Sequence, residues 1–161
     1  MGETNFIDTL IRKGGVIQDA PGKTLPEVYR NVLKDQVFPE GLTNNTVYKE
    51  LIQREKMMGT GVGNGVAIPH PRYPLIKNDE DQRIIVVYLK EPIAISSPDM
   101  RPVSTLFITL TSSSKNHLQV LSDLAFLIQK SGFRQALEKH CSEEELLATI
   151  HDILAKNKET N

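Results

Sequence analysis

Two unbroken apolar runs hold the middle of the chain, Ile84-Ile85-Val86-Val87-Tyr88-Leu89 and the stretch from Val103 to Leu110. A continuous, β-branched run of that length has the signature of a strand buried on both faces. The segment between the runs carries Pro92, Pro98 and Pro102 and is too short for a crossover helix with its loops, which predicts that the two strands pair antiparallel.

On either side of these runs the apolar residues recur at helical steps. Phe6, Ile7, Leu10 and Ile11 open the chain, Lys13-Gly14-Gly15 reads as a turn, and Val16-Ile17 starts a brief extended piece. Thr24-Leu25-Pro26-Glu27 is a capping-box pattern: a hydroxyl for the orphan amides, Pro in the first turn and a carboxylate three residues on. The helix it opens is expected to reach about Phe38, before the break at Pro39-Glu40-Gly41. Thr43 or Asn44 can cap a second helix, with Val47, Leu51 and Met58 at helical spacing and its end before Gly59. In the last third, Ser113 or Ser114 caps a helix with Leu118, Leu121, Ala125 and Ile128 on one stripe and Val120, Leu124 and Leu127 on the next, a wide apolar face. Ser131 can open a short helix holding Phe133, Ala136 and Leu137. Ser142-Glu143-Glu144-Glu145 repeats the capping box ahead of Leu146, Leu147, Ile150, Ile153 and Leu154, and the polar end, 156–161, is expected to fray. Helices before, strands between and helices after predict an α/β fold, a mixed β-sheet flanked by helices on both faces.

Composition narrows the function. At 161 residues and 18.0 kDa the chain has the size of a single domain, 1–161. Its 19 basic and 20 acidic residues leave a net charge of -1, so bulk electrostatics gives no hold on nucleic acid or an anionic membrane. The lone cysteine, Cys141, excludes an internal disulfide and a multi-Cys zinc knuckle and fits a reducing, cytoplasmic compartment. No apolar run approaches the roughly 18 residues of a membrane span, and Met1 to Asp8 lack the basic-then-apolar pattern of a signal peptide.

Candidate chemistry begins where the composition breaks. Gly59, Gly61, Gly63 and Gly65 alternate with other residues and lead into Val66-Ala67-Ile68, a short strand halted by Pro69 ahead of His70. The dinucleotide fingerprint needs GxGxxG between a strand and a helix; here the order is helix, glycines, strand, and the spacing is wrong. Gly22-Lys23-Thr24 resembles the end of a P-loop, but Ile17 stands where its first glycine belongs. What remains is His70, held on stiff backbone between Pro69 and Pro71: either a surface histidine in a turn or a reactive one. Arg54 interrupts the stripe Val47, Leu51, Met58 and needs a partner. That partner is a nearby carboxylate, or Arg54 merely flanks the stripe, or it is an anion clamp beside His70. His117 falls in the first turn of its helix, half-buried, where the positive end of the dipole disfavours its protonation. His140 and His151 read as surface residues, and Cys141 as lying on an exposed helix end. No serine sits in a GxSxG elbow, which leaves a Ser-His-Asp hydrolase as a third choice.

The run Arg54-Glu55, a spacer, then Gly61-Val62-Gly63-Asn64-Gly65-Val66-Ala67-Ile68-Pro69-His70 resembles the active-site signature of the fructose, mannitol and nitrogen-regulatory type of enzyme IIA in the bacterial phosphoenolpyruvate-dependent phosphotransferase system. Pro102-Val103 through Phe107, Asn116-His117-Leu118 and Leu121-Ser122-Asp123-Leu124-Ala125 resemble the second signature of that family, and the likeness covers about residues 5–155. The resemblance implies the type-2 enzyme IIA fold and a phosphocarrier function. By it, His70 is the residue that accepts a phosphoryl group from phospho-HPr through Nε2, Arg54 is the arginine beside it, and His117 is the second histidine of the site. It implies no metal and no nucleotide cofactor. Gly61, Gly63, Asn64 and Gly65 become the loop that lets a partner approach, since two folded proteins must bring both imidazoles to one phosphorus.

Pro71 stands where the family more often has a small residue, and the polar stretch from Tyr73 to Gln82 is longer than usual, which bears on the partner-facing rim. No IIB or membrane IIC segment accompanies these residues. The second signature looks closest to nitrogen-regulatory members, so a regulatory phosphocarrier is the leading expectation. The alternatives are the IIA component of a fructose- or mannitol-like transport system, with a IIB domain as acceptor, and a docking module of the same fold that is not phosphorylated.

Overall fold

The computed structural model describes residues 5–160, the side chains of 159 and 160 excepted. Met1 to Thr4 and Asn161, which the expected single domain includes, lie outside the described residues. The chain runs α1 (Phe6–Gly14), β1 (Val16–Ala20), α2 (Leu25–Leu33), α3 (Asn44–Met57), β2 (Gly61–Gly63), β3 (Val66–Ala67), a 3-10 turn (Asp79–Asp81), β4 (Arg83–Ile93), β5 (Val103–Leu110), α4 (Ser114–Ile128), α5 (Ser131–Glu138) and α6 (Glu143–Thr160).

The two apolar runs form the antiparallel centre of a five-stranded sheet of order β1-β4-β5-β3-β2. β1 pairs with β4 and β3 with β5 in parallel, and β2 with β3 antiparallel, so the sheet is mixed. Alternation along β4 divides the core: Ile84, Val86 and Tyr88 pack with residues of α1, α4, α5 and α6, while Ile85, Val87 and Leu89 pack with α2 and α3. Burying each such side chain fully is worth roughly 1.5–3 kcal/mol. The helices therefore cover both faces, as the pattern predicts.

The caps act where the sequence puts them. Thr24, Thr43 and Ser113 accept from the amides of Glu27, Thr46 and Asn116, and Ser142 Oγ accepts from Glu145 N at 3.2 Å. The second helix in the chain stops at Leu33, short of Phe38, because residues 36–38 are taken up by another partner. Arg83, 2% exposed, donates to Gln36 Oε1 and Val37 O and lies over the Phe38 ring at 4.8 Å. Helix α6, by contrast, continues through the polar residues 156–160 expected to fray.

Candidate functional site

The site forms where α3, the glycine segment and the first turn of α4 meet. The expected short strand, β3, turns out to be the second arm of a hairpin. Asn64 and Gly65 carry φ of 55° and 75°, the pair of left-handed residues that a two-residue type I′ turn requires. The Asn-Gly dipeptide signals that turn in the sequence, where the alternating glycines drew attention instead. Behind the hairpin lies the loop after β4. A Cβ on Gly61 would stand 2.5 Å from Ser96 O and 2.7 Å from Ser97 Cβ, and Asn64 N donates to Asp99 Oδ2 at 2.8 Å. Gly61 is thus small for close packing within the chain, a reason the sequence does not display. Asp99 completes this seat: its carboxylate also accepts from Ser97 Oγ and Arg101 N, and these bonds hold it below the usual carboxylate range, the Asn64 amide foremost.

Beyond β3, the Pro69 carbonyl accepts from Thr109 N at 2.9 Å, which ties the chain to β5 just before His70. His70 is half-buried, with Nδ1 2.8 Å from Ile68 O. A carbonyl oxygen can only accept, so Nδ1 carries the proton and Nε2 keeps its lone pair. The His117 ring lies beside it, centroids 4.5 Å apart at 45°. Burial lowers the His70 pKa, with Arg54 adding to the effect and the Ile68 bond and Glu55 opposing it. His117 is pushed down to about 4, by burial first and then by His70 and Arg54. Both rings are therefore neutral near pH 7.

Arg54 projects from the last turn of α3, where Nη1 donates to Met58 O at 2.9 Å. Its charge works against protonation of both imidazoles. Neighbouring Glu55 turns its carboxylate to Thr60, accepting from Thr60 Oγ1 at 2.8 Å and from Thr60 N. Glu55 stands in the first signature beside Arg54 without a role of its own, and Thr60 and Asp99 belong to neither signature.

Several positions differ from expectation. Met58 closes α3 and is 69% exposed, so it does not extend the buried stripe of Val47 and Leu51. On α4 only Val120, Leu124, Leu127 and Ile128 are buried, while Leu118 is 66% exposed and Ala125 is also exposed. The surplus apolar positions, Leu121 and Ala125, line a groove of about 550 Å³ with Val62, Asn64 and Ile68. Cys141 is buried, not exposed, with Sγ 3.6 Å from Tyr88 OH, because it closes the core over β4. His140 stacks on the Tyr88 ring at 4.7 Å, and His151 Nε2 lies 3.7 Å from Asp8 Oδ2, so each is half-buried and remote in the chain from the site. Among the described residues, no group of three or more His, Cys, Asp or Glu could hold a metal ion, and no helix is long and apolar enough to cross a membrane.

Residues 10–153 match the family described as phosphoenolpyruvate-dependent sugar phosphotransferase system, EIIA 2. A nitrogen regulatory protein of Pseudomonas aeruginosa is 26% identical over 91% of this chain and 96% of its own, and one of Klebsiella oxytoca is 34% identical over 73% of each. The crystal structure of nitrogen regulatory protein IIA-Ntr from Neisseria meningitidis superposes with a TM-score of 0.72 at 30% identity, covering 86% of this chain and 93% of that one. The sheet order, the two signatures and these likenesses agree: the chain belongs to the EIIA 2 family of the phosphoenolpyruvate-dependent phosphotransferase system.

Proposed function

We propose that this chain is a phosphocarrier of the nitrogen-regulatory type, acting as a single IIA domain, and that His70 Nε2 is its phosphoacceptor. The observation that carries the reading is the bond from His70 Nδ1 to Ile68 O, which leaves Nε2 with its lone pair free beside a second neutral imidazole. The donor is a phosphohistidine on a protein of the HPr type. The Nε2 lone pair attacks phosphorus in line; the P–Nε2 bond forms as the P–N bond of the donor breaks, and that bonding pair returns to the donor nitrogen. The proton on Nδ1 stays on its hydrogen bond throughout. Arg54 and a donor proton from His117 stabilise the charge on the equatorial oxygens, where fixed groups act without reorganisation. No metal or nucleotide takes part.

A protein donor must reach Nε2, and the surface around it is suited to that. Leu118 and Met58 are exposed, and an apolar groove runs beside the Gly61, Gly63, Asn64, Gly65 hairpin, lined by Val62, Asn64 and Ile68. Relatives named nitrogen regulatory protein support a regulatory target as acceptor over a IIB domain of sugar transport. The work belongs in the cytoplasm, where a phosphorylated HPr-type donor is found. Incubation with phosphoenolpyruvate, enzyme I and HPr tests the reading: wild type is expected to gain one acid-labile phosphoryl group and His70→Ala none. Undiminished labelling of His70→Ala overturns it, and an unlabelled, folded wild type favours a docking module.

A further inference from the structure

We propose that Glu55 is a positioning residue for His70, acting through a relay of hydrogen bonds along two strands of the hairpin; the inference rests on His70 being the phosphoacceptor. The relay starts at the end of α3. The Glu55 carboxylate accepts from Thr60 twice over, from Oγ1 at 2.8 Å and from the backbone N at 3.2 Å. Thr60 is only 6% exposed, so these are bonds to a charged acceptor in a largely dry setting, and they fix where its carbonyl points. That carbonyl accepts from Ile68 N at 3.0 Å. The carbonyl of the same residue, Ile68, accepts from His70 Nδ1 at 2.8 Å. Four residues of the single stretch from Glu55 to His70 are thereby linked end to end, and the last bond is the one that sets the tautomer and the aim of the reacting ring.

The arrangement explains a choice that the rest of the site leaves open. Arg54 and Glu55 are adjacent on one helix end, yet they hold different partners: the guanidinium donates to Met58 O at the helix end, and the carboxylate accepts from Thr60 just beyond it. Ile68 has no side-chain handle by which its backbone could be steered, and it is flanked by Pro69, which has no N–H. Its peptide groups are instead held from outside, on the N–H side by Thr60 and on the carbonyl side by the imidazole itself. An in-line attack tolerates little misplacement of the nucleophile, and an error of about 1 Å can cost on the order of a hundredfold in rate. Glu55 touches no reacting atom; it supplies the fixed end of the relay.

The experiment uses the full chain with HPr-type donor and two readouts. Single-turnover transfer separates the maximal rate from the donor concentration at half-maximum, and nitrogen-15 NMR of labelled histidine reports which ring nitrogen of His70 carries the proton. Glu55→Ala is expected to lower the maximal rate about tenfold with the half-maximal donor concentration within about twofold of wild type, and to mix the Nε2–H tautomer into a ring that is Nδ1–H in wild type. Glu55→Gln, which retains one acceptor oxygen, falls between them. Should Glu55→Ala fail to fold, Thr60→Val carries the test by removing the Oγ1 donor at constant shape, with Thr60→Ser as the rescue. Wild-type rate and tautomer in folded Glu55→Ala, or in Thr60→Val in its place, overturn the inference. An unlabelled wild type instead refutes the phosphocarrier reading, and the tautomer measurement still decides whether the relay sets the ring.

Discussion

The imidazoles of His70 and His117 lie with ring centroids 4.5 Å apart and planes tilted by 45°, so a proton on either ring opposes a proton on the other. Burial acts on both in the same direction, and Arg54 adds its charge to each. The site is built to keep two histidines neutral where an isolated one would be partly charged.

That arrangement has a cost in acid. His117 titrates near its ordinary value of 6.5 when unfolded and at about 4 when folded, so between those values the unfolded chain binds more protons. Stability is unaffected by this group above pH 6.5 and falls as the pH drops from 6.5 towards 4; the lowered His70 pKa acts with the same sign. The half-exposed position of His117 keeps the effect modest. Denaturant midpoints at pH 7 and pH 5 are expected to differ less in His117→Asn than in wild type. An equal drop in both contradicts the assignment.

Gly61 and Gly132 make opposite predictions for the same substitution. A Cβ at Gly61 meets Ser96 O at 2.5 Å, with backbone rather than a flexible side chain in the way, whereas at Gly132 in α5 nothing lies within 4 Å. Gly61→Ala is expected to destabilise by about 1–3 kcal/mol, the range for overpacking. Gly132→Ala is expected to stabilise by about 0.4–1 kcal/mol by restricting the unfolded chain. Thermal unfolding of the two variants checks both signs.

Arg54 is expected to matter for rate more than for stability. Its hydrogen bond to Met58 O is worth about 1 kcal/mol net, while a fixed cation facing a transferring phosphoryl group is worth roughly a hundredfold in rate. Arg54→Ala is predicted to slow single-turnover phosphorylation by about that factor and to lower stability by no more than about 1 kcal/mol. Arg54→Lys should recover only part of the rate, since an ammonium lacks the planar fork. Full activity in Arg54→Ala sinks the assignment.

Much of this fold is legible in the sequence because the signals are local. The runs at 84–89 and 103–110 specify buried strands by composition alone, and Thr24, Thr43, Ser113 and Ser142 stand where helices begin. What escapes is set by contacts between distant residues. Gln36 and Val37 leave the helical path to satisfy Arg83, a partner 46 or 47 positions away. Cys141 has a polar sequence context yet closes over Tyr88. At the site, His70, Arg54 and His117 announce themselves as a constrained histidine, an interrupted stripe and a polar residue in a first turn. Asp99 and the Ser96–Ser97 backbone, which seat the hairpin, carry no periodic or motif signal, because their role lies in a loop that packs against glycines more than thirty residues earlier.

The central claim is that the Ile68 carbonyl fixes Nε2 of His70 as the nucleophile. Phosphorus-31 and nitrogen-15 NMR of the protein phosphorylated by phosphoenolpyruvate, enzyme I and HPr measures it directly. The account predicts a single phosphoryl group on Nε2 of His70, with Nδ1 still protonated. A phosphoryl group on Nδ1 of His70, or on His117, would contradict it.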